Sequence, residues 1–216
     1  MKKTINMRKN IIIAFTLFVS TLAFSQNAPK AQAILDKVSS ELEQYKNITI
    51  EFTHTLENKA VNIKQTSKGS AVIQGDKYVL NYLNNIILFD EKNNYVISPE
   101  NEEVNITPSS DISDESITPS KLLSFYKKGY TYQLDKKEGS VQFIKLTPTE
   151  KSEEVSHILL GVNTQNNQIT SLTEVGTNGT DTNFTITSYK TNQQLAPNTF
   201  AFNKAKYESL GYYIND

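Results

Sequence analysis

The apolar positions of this chain change their period once, and the change separates a helix from a long series of strands. Between residues 29 and 46, Ala33, Ile34, Val38, Leu42 and Tyr45 recur at three- and four-residue steps among acids and lysines, which predicts one amphipathic helix. From Ile48 onward the period is two. Ile48, Ile50 and Phe52 alternate with Thr49, Glu51 and Thr53, the mark of a half-buried strand. Similar runs follow at 69–74, 77–83, 85–90, 94–98 and 103–107, divided by the turn-competent pairs Gly75-Asp76, Asn84-Asn85, Asn93-Asn94 and Glu100-Asn101.

A polar loop at 106–116 contains Pro108, after which Thr118 and Pro119 supply an N-cap and a first-turn proline for a short helix reaching Lys128. Leu122, Leu123, Phe125 and Tyr126 make that helix apolar over more than one face, and Gly129 ends it. Strands resume at 130–136, 141–147, 157–163, 169–174 and 182–191, with a short segment at 199–202. About eleven antiparallel strands must bury one face, and two helices cannot cover so wide a sheet. The expected fold is therefore α+β: an unclosed antiparallel β-barrel, with the N-terminal and mid-chain helices over its concave apolar face.

The alternating aromatic and aliphatic residues are the candidate lining of that face. They are Ile50, Phe52, Ile73, Leu80, Tyr82, Ile86, Leu88, Tyr95 and Ile97 on the early strands, Leu122, Leu123, Phe125 and Tyr126 on the mid-chain helix, and Leu160, Leu172, Phe184 and Ile186 later. For any one of them ordinary core packing is the simpler account. Together they are a large supply for a fold with two covering helices.

Composition narrows the chemistry. The 216 residues include 11 Tyr and 10 Phe, too aromatic for a disordered chain, and no Cys, which excludes disulfides and thiolate chemistry. Charge divides unevenly. Residues 1–25 hold Lys2, Lys3, Arg8 and Lys9 without an acid, so the remainder sets 18 Lys and no Arg against 23 acids. A body of that charge is a poor match for nucleic acid. A basic stretch, the apolar run from Ile11 to Phe24, and Ala23 and Ser25 before Gln26 read as a cleaved secretory signal over 1–25. The run is shorter than the ~20 residues of a spanning helix. A single soluble domain over 26–216 is expected, placed in the periplasm if the source is Gram-negative.

No catalytic pattern stands out. His54 and His157 have no motif around them, the acids cluster at turns, and the eight glycines form no phosphate-cradling loop. A non-enzymatic protein without cofactor or metal is the expectation.

The run from Gly75 through Tyr82 and from Ile86 to Val104, with the preceding Lys68-Gly69, resembles the central block of the periplasmic lipoprotein carrier family of the LolA type. Pro119-Ser-Lys-Leu-Leu-Ser-Phe-Tyr resembles its mid-chain helix. Ile169-Thr-Ser-Leu-Thr, the turn at 176–180, Phe184-Thr-Ile-Thr-Ser-Tyr and Phe200-Ala-Phe resemble its C-terminal strands, and Ala33-Ile-Leu-Asp-Lys-Val its first helix. The resemblance implies a monomer that holds lipoprotein acyl chains against the lining residues above. It would receive them from an inner-membrane lipoprotein-releasing ABC transporter and deliver them to an outer-membrane acceptor that the resemblance does not identify. A carrier or sensor of another lipid on the same scaffold is the alternative. The better-known family pattern has an arginine on an early strand, linked to lid closure and cargo handover. Residues 26–216 have none, and Lys64 or Lys68 as substitutes cannot reproduce a guanidinium fork.

Overall fold

The computed structural model describes residues 27–112 and 123–216. The segment expected to be a secretory signal, Leu122 and the beginning of the expected mid-chain helix lie outside them. Helix α1 (Asn27–Gln44) leads into β1 (Ile48–Asn58), β2 (Ile63–Gln74), β3 (Lys77–Tyr82), β4 (Asn85–Phe89), β5 (Asn93–Ser98) and β6 (Glu103–Pro108). After the undescribed stretch come β7 (Tyr130–Glu138), β8 (Val141–Pro148), β9 (Val155–Asn163), β10 (Gln168–Gly176) and β11 (Thr180–Thr191), then a short helix α2 (Lys204–Ser209) and β12 (Tyr213–Asn215).

All twelve strands belong to one sheet, ordered β12-β6-β5-β4-β3-β2-β1-β11-β10-β9-β8-β7. Every neighbouring pair is antiparallel except β12 on β6, and β12 and β7 remain as ends, so the sheet curls without closing. The long β1 and β11 form the spine, joining the run β2–β6 to the run β7–β10.

Helix α1 lies over the β7–β10 part of the concave side. Ala31, Leu35 and Val38 are at most 1% exposed and meet the fully buried Ile144, Leu146, Leu160 and Val162. The apolar stripe is thus turned from its expected position: Ala31 and Leu35 lie inside, while Ala33 is exposed. Of the mid-chain helix, the described residues contain only a 3-10 turn at Phe125–Lys127, with the Tyr132 hydroxyl donating to the Tyr126 carbonyl at 2.6 Å.

Three expectations change. The segment at 199–202 is not a strand; the chain there leads into α2, which Asn203 caps by accepting from the Lys206 backbone N–H at 3.0 Å. Strand β2 begins at Ile63, and its first six residues, Ile-Lys-Gln-Thr-Ser-Lys, carry no apolar alternation that could have announced it. The face assigned to β4 and β5 is also reversed. β3 and β4 are joined by the two-residue turn Leu83-Asn84, both at positive φ (49° and 62°), which pairs Tyr82 with Asn85. That primed-type turn fixes the register, so Leu80 and Ile87 share the concave side while Ile86 and Leu88 face outward, opposite Ile97 and Tyr95.

The outward apolar group has its own cover. Phe202 stacks on Tyr95 at 4.3 Å, Tyr207 on Phe202 at 5.5 Å, and Tyr212 meets Tyr207 edge-on. β12 then pairs with β6, and Lys204 reaches Asp216 at 2.8 Å. Leu88, Tyr95, Ile97 and Val104 are buried on this convex side, apart from the main core.

Candidate functional site

An apolar hollow of about 310 Å³ lies on the concave side where α1 does not reach. β1 contributes Ile50 and Phe52, β2 Ala71, β3 Leu80 and Tyr82, β10 Ile169, Ser171 and Leu172, and β11 Phe184 and Ile186; Leu123 enters after the undescribed stretch. Leu80 and Leu172 line the same hollow although three strands stand between theirs in the sheet, a measure of how strongly it curls.

The lining is unlike the core beside it. Leu80, Tyr82, Leu172, Phe184 and Ile186 are only half-buried, and they line a concavity that lacks charged side chains among the described residues. Apolar surface left uncovered in a concavity is the usual form of a site for an apolar ligand. The Ser171 hydroxyl lies beside Gly161, on the side of Phe143. Among the described residues, the polar side-chain atom that the lining offers is therefore the Tyr82 hydroxyl.

Four rings stand together at one end of the hollow. Phe52 contacts Tyr82 (5.9 Å) and Phe184 (6.0 Å), and His54 contacts the same two rings, edge-on to Tyr82 at 5.7 Å and stacked on Phe184 at 4.5 Å. Phe52 pairs with Gly69 and His54 with Ser67 across β2, so the small residues of β2 leave room for rings from both sides. Tyr82 and His54 are linked at 2.5 Å between hydroxyl and Nδ1. Desolvation lowers the His54 pKa and raises that of Tyr82, which keeps both neutral near pH 7.

Tyr82 and Phe52 also border a second, open groove of about 1030 Å³. Its remaining walls are mostly polar, from Glu51, Thr53, Lys68, Ser70, Asn81, Asn84 and Asn85, with Ile86 among them. Lys68 is one of the two lysines considered in place of the family arginine. The other, Lys64, pairs with Glu57 at 3.7 Å on the β1–β2 hairpin.

Of the seventeen candidate lining residues, Ile50, Phe52, Leu80, Tyr82, Leu123, Leu172, Phe184 and Ile186 come together around the hollow. Ile73, Leu160 and Tyr126 are closed in the packed core, where Leu160 is wholly buried, and Phe125 packs against that core with its ring edge-on to Tyr130. Ile86, Leu88, Tyr95 and Ile97 belong to the convex side, and this is a correction: β4 is apolar at four consecutive positions, so alternation could not reveal which two faced inward. Leu122 lies outside the described residues. Ala71, Ile169 and Ser171 were missed as walls, and His54 was noted in the sequence without a role in the hollow. Ala71 is too small to attract notice, Ile169 sits next to a register shift in β10, and His54 has meaning only beside its neighbours across the sheet.

The other histidine, His157, contacts the hydroxyl of the adjacent Ser156 at 3.1 Å and has no part in the hollow. Among the described residues no group of three His, Asp or Glu is placed to hold a metal, and no helix is long and apolar enough to cross a membrane.

Comparison of the fold finds an uncharacterised conserved protein of Thermus thermophilus at a TM-score of 0.53 and 12% identity, covering 86% of this chain and 98% of that one. A putative outer membrane lipoprotein-sorting protein domain from Vibrio parahaemolyticus matches at 0.47 and 13%, covering 84% and 100%. The Mycobacterium tuberculosis lipoprotein LppX matches at 0.46 and 13%, covering 78% and 98%. Comparison with curated proteins finds no match. In sequence, residues 43–203 match the family described as outer membrane lipoprotein carrier protein LolA. That span runs from the end of α1 through β11 and includes every described wall of the hollow, so the chain belongs to the LolA family, whose members are carrier and binding proteins for lipids and lipoproteins.

Proposed function

We propose that this chain is a periplasmic chaperone that shelters lipoprotein acyl chains in the concave hollow and carries them from the inner to the outer membrane. The observation that carries this reading is the half-exposed apolar lining beside a fully packed core in the same sheet. An acyl chain of about fifteen methylenes gains ~0.8 kcal/mol for each one taken out of water, about 12 kcal/mol in all. A wall of Leu, Ile, Phe and Tyr can supply much of that without fixed polar bonds, so the same wall can release what it holds.

In this reading residues 1–25 are a secretory signal removed on export, residues 26–216 act as one monomeric domain, and cargo arrives from an inner-membrane lipoprotein-releasing ABC transporter. Handover does not use the family arginine; Lys68 faces the polar groove beside the hollow and is the cation nearest to that role. The test is native mass spectrometry of protein isolated from the periplasm of its own cells. A co-purified triacylated or diacylated polypeptide supports the carrier role. A glycolipid or lipid precursor in its place would transfer the assignment to a carrier of that lipid, and an empty protein that also fails to bind a fluorescent acyl probe would overturn both.

A further inference from the structure

We infer that His54 and Tyr82 form a polar subsite at the rim of the hollow that binds the neutral carbonyl at the head of an acyl ester or amide. The inference rests on the acyl-binding reading above and specifies which kind of acyl ligand the hollow prefers.

An unprotonated imidazole nitrogen is a better acceptor than a phenol oxygen, so the short Tyr82–His54 contact is assigned as the Tyr82 hydroxyl donating to Nδ1. This consumes the polar side-chain atom that the described lining offers and sets the tautomer of His54, leaving the proton on Nε2. The Nε2–H has no protein acceptor among the described residues and is not a buried atom, so it stays accessible to a ligand. The ring that carries it is held on two sides, by the stack on Phe184 and the edge contact with Tyr82, both of which line the hollow. An accessible donor held in place beside a concavity whose described walls are otherwise apolar meets the one polar atom that an acyl ligand keeps next to its tail, the carbonyl oxygen.

The pair also discriminates against charge. On the concave positions around His54 stand Ser67, Gly69, Tyr82 and Phe184, none of them cationic, while Lys68 alternates to the opposite side of β2 and lines the polar groove that Tyr82 also borders. A free carboxylate brought to this rim would lose its hydration and gain one neutral donor, whereas an ester or amide carbonyl has far less to lose. The ligand class is therefore an acyl chain already joined to its carrier molecule, not a free fatty acid.

Competition against a fluorescent acyl probe tests this with methyl palmitate, palmitic acid and hexadecane on the mature protein. The wild type is expected to bind methyl palmitate about tenfold more tightly than palmitic acid at pH 8. His54→Phe keeps the stack but removes the donor; it should lose about five- to tenfold for methyl palmitate and leave hexadecane unchanged. His54→Gln, which restores a side-chain N–H, should recover part of that loss. Unchanged methyl palmitate affinity in His54→Phe, or a loss equal for all three ligands, would overturn the subsite while leaving acyl binding intact. Failure of the wild type to bind any of the three would overturn the acyl reading and the subsite with it.

Discussion

The ring of Phe52 occupies the space in which a side chain on Gly69 would have to stand. The two residues pair across β1 and β2, and a Cβ at Gly69 would overlap the edge of the ring and press on the Asn81 carbonyl at 3.0 Å. Phe52 borders both the apolar hollow and the polar groove, so Gly69 holds open the position of a ring that divides the two. Gly69→Ala is expected to cost about 1–3 kcal/mol by overpacking. The displaced ring should also lower acyl-probe affinity, as read by urea denaturation and probe titration on the same preparation.

The two faces of β3 and β4 make opposite predictions for neighbouring leucines. Leu80→Glu places a carboxylate in the hollow, and acyl-probe affinity should fall by about tenfold or more. Leu88 is 7% exposed beneath the C-terminal segment, so Leu88→Ala should cost about 2–4 kcal/mol in stability while probe affinity in the folded protein is unchanged. A loss of binding without loss of stability in Leu88→Ala would contradict the observed register.

Tyr126 is 2% exposed, and its hydroxyl is the buried side-chain polar atom without a hydrogen-bond partner among the described residues. Burial, then the charges of Glu43 and Asp36, push its pKa far upward, which keeps it a neutral phenol. An unpaired buried hydroxyl costs roughly 1–3 kcal/mol, so Tyr126→Phe should raise stability by about 1 kcal/mol. Thermal unfolding followed by circular dichroism would measure it.

Both histidines are shifted downward on folding, His54 by desolvation and His157 by desolvation and then by Lys145. The unfolded chain therefore binds protons at a higher pH than the folded one. Their stabilising contribution is complete above the unfolded value near 6.5 and is lost as pH falls from there through the folded values. The urea midpoint is expected to drop between about pH 7 and 5, and less so in His157→Gln, with NMR titration of the imidazoles as the direct check.

The first helix, strands β1 to β11 and the unclosed curl follow from periodicity because each depends on many residues at once, whereas the three-residue β12 is too short to show a period. The wall of the hollow was legible where one strand face is apolar and the other polar, as for Ile50 and Phe52 against Glu51 and Thr53. It was not legible in β4, where Ile86, Ile87, Leu88 and Phe89 are all apolar and the decision fell to the positive φ values of Leu83 and Asn84. Nor could spacing foretell that Phe202 and Tyr207 would roof the convex side, since that contact joins residues more than a hundred positions apart in the chain.

Helix α1 is fastened chiefly to the β7–β10 end of the sheet. The two flanks of one continuous hydrogen-bonded surface are therefore unequally braced, and the less braced wall is expected to yield first to a bulkier guest, read as faster amide hydrogen exchange in β3 and β4 than in β8 and β9.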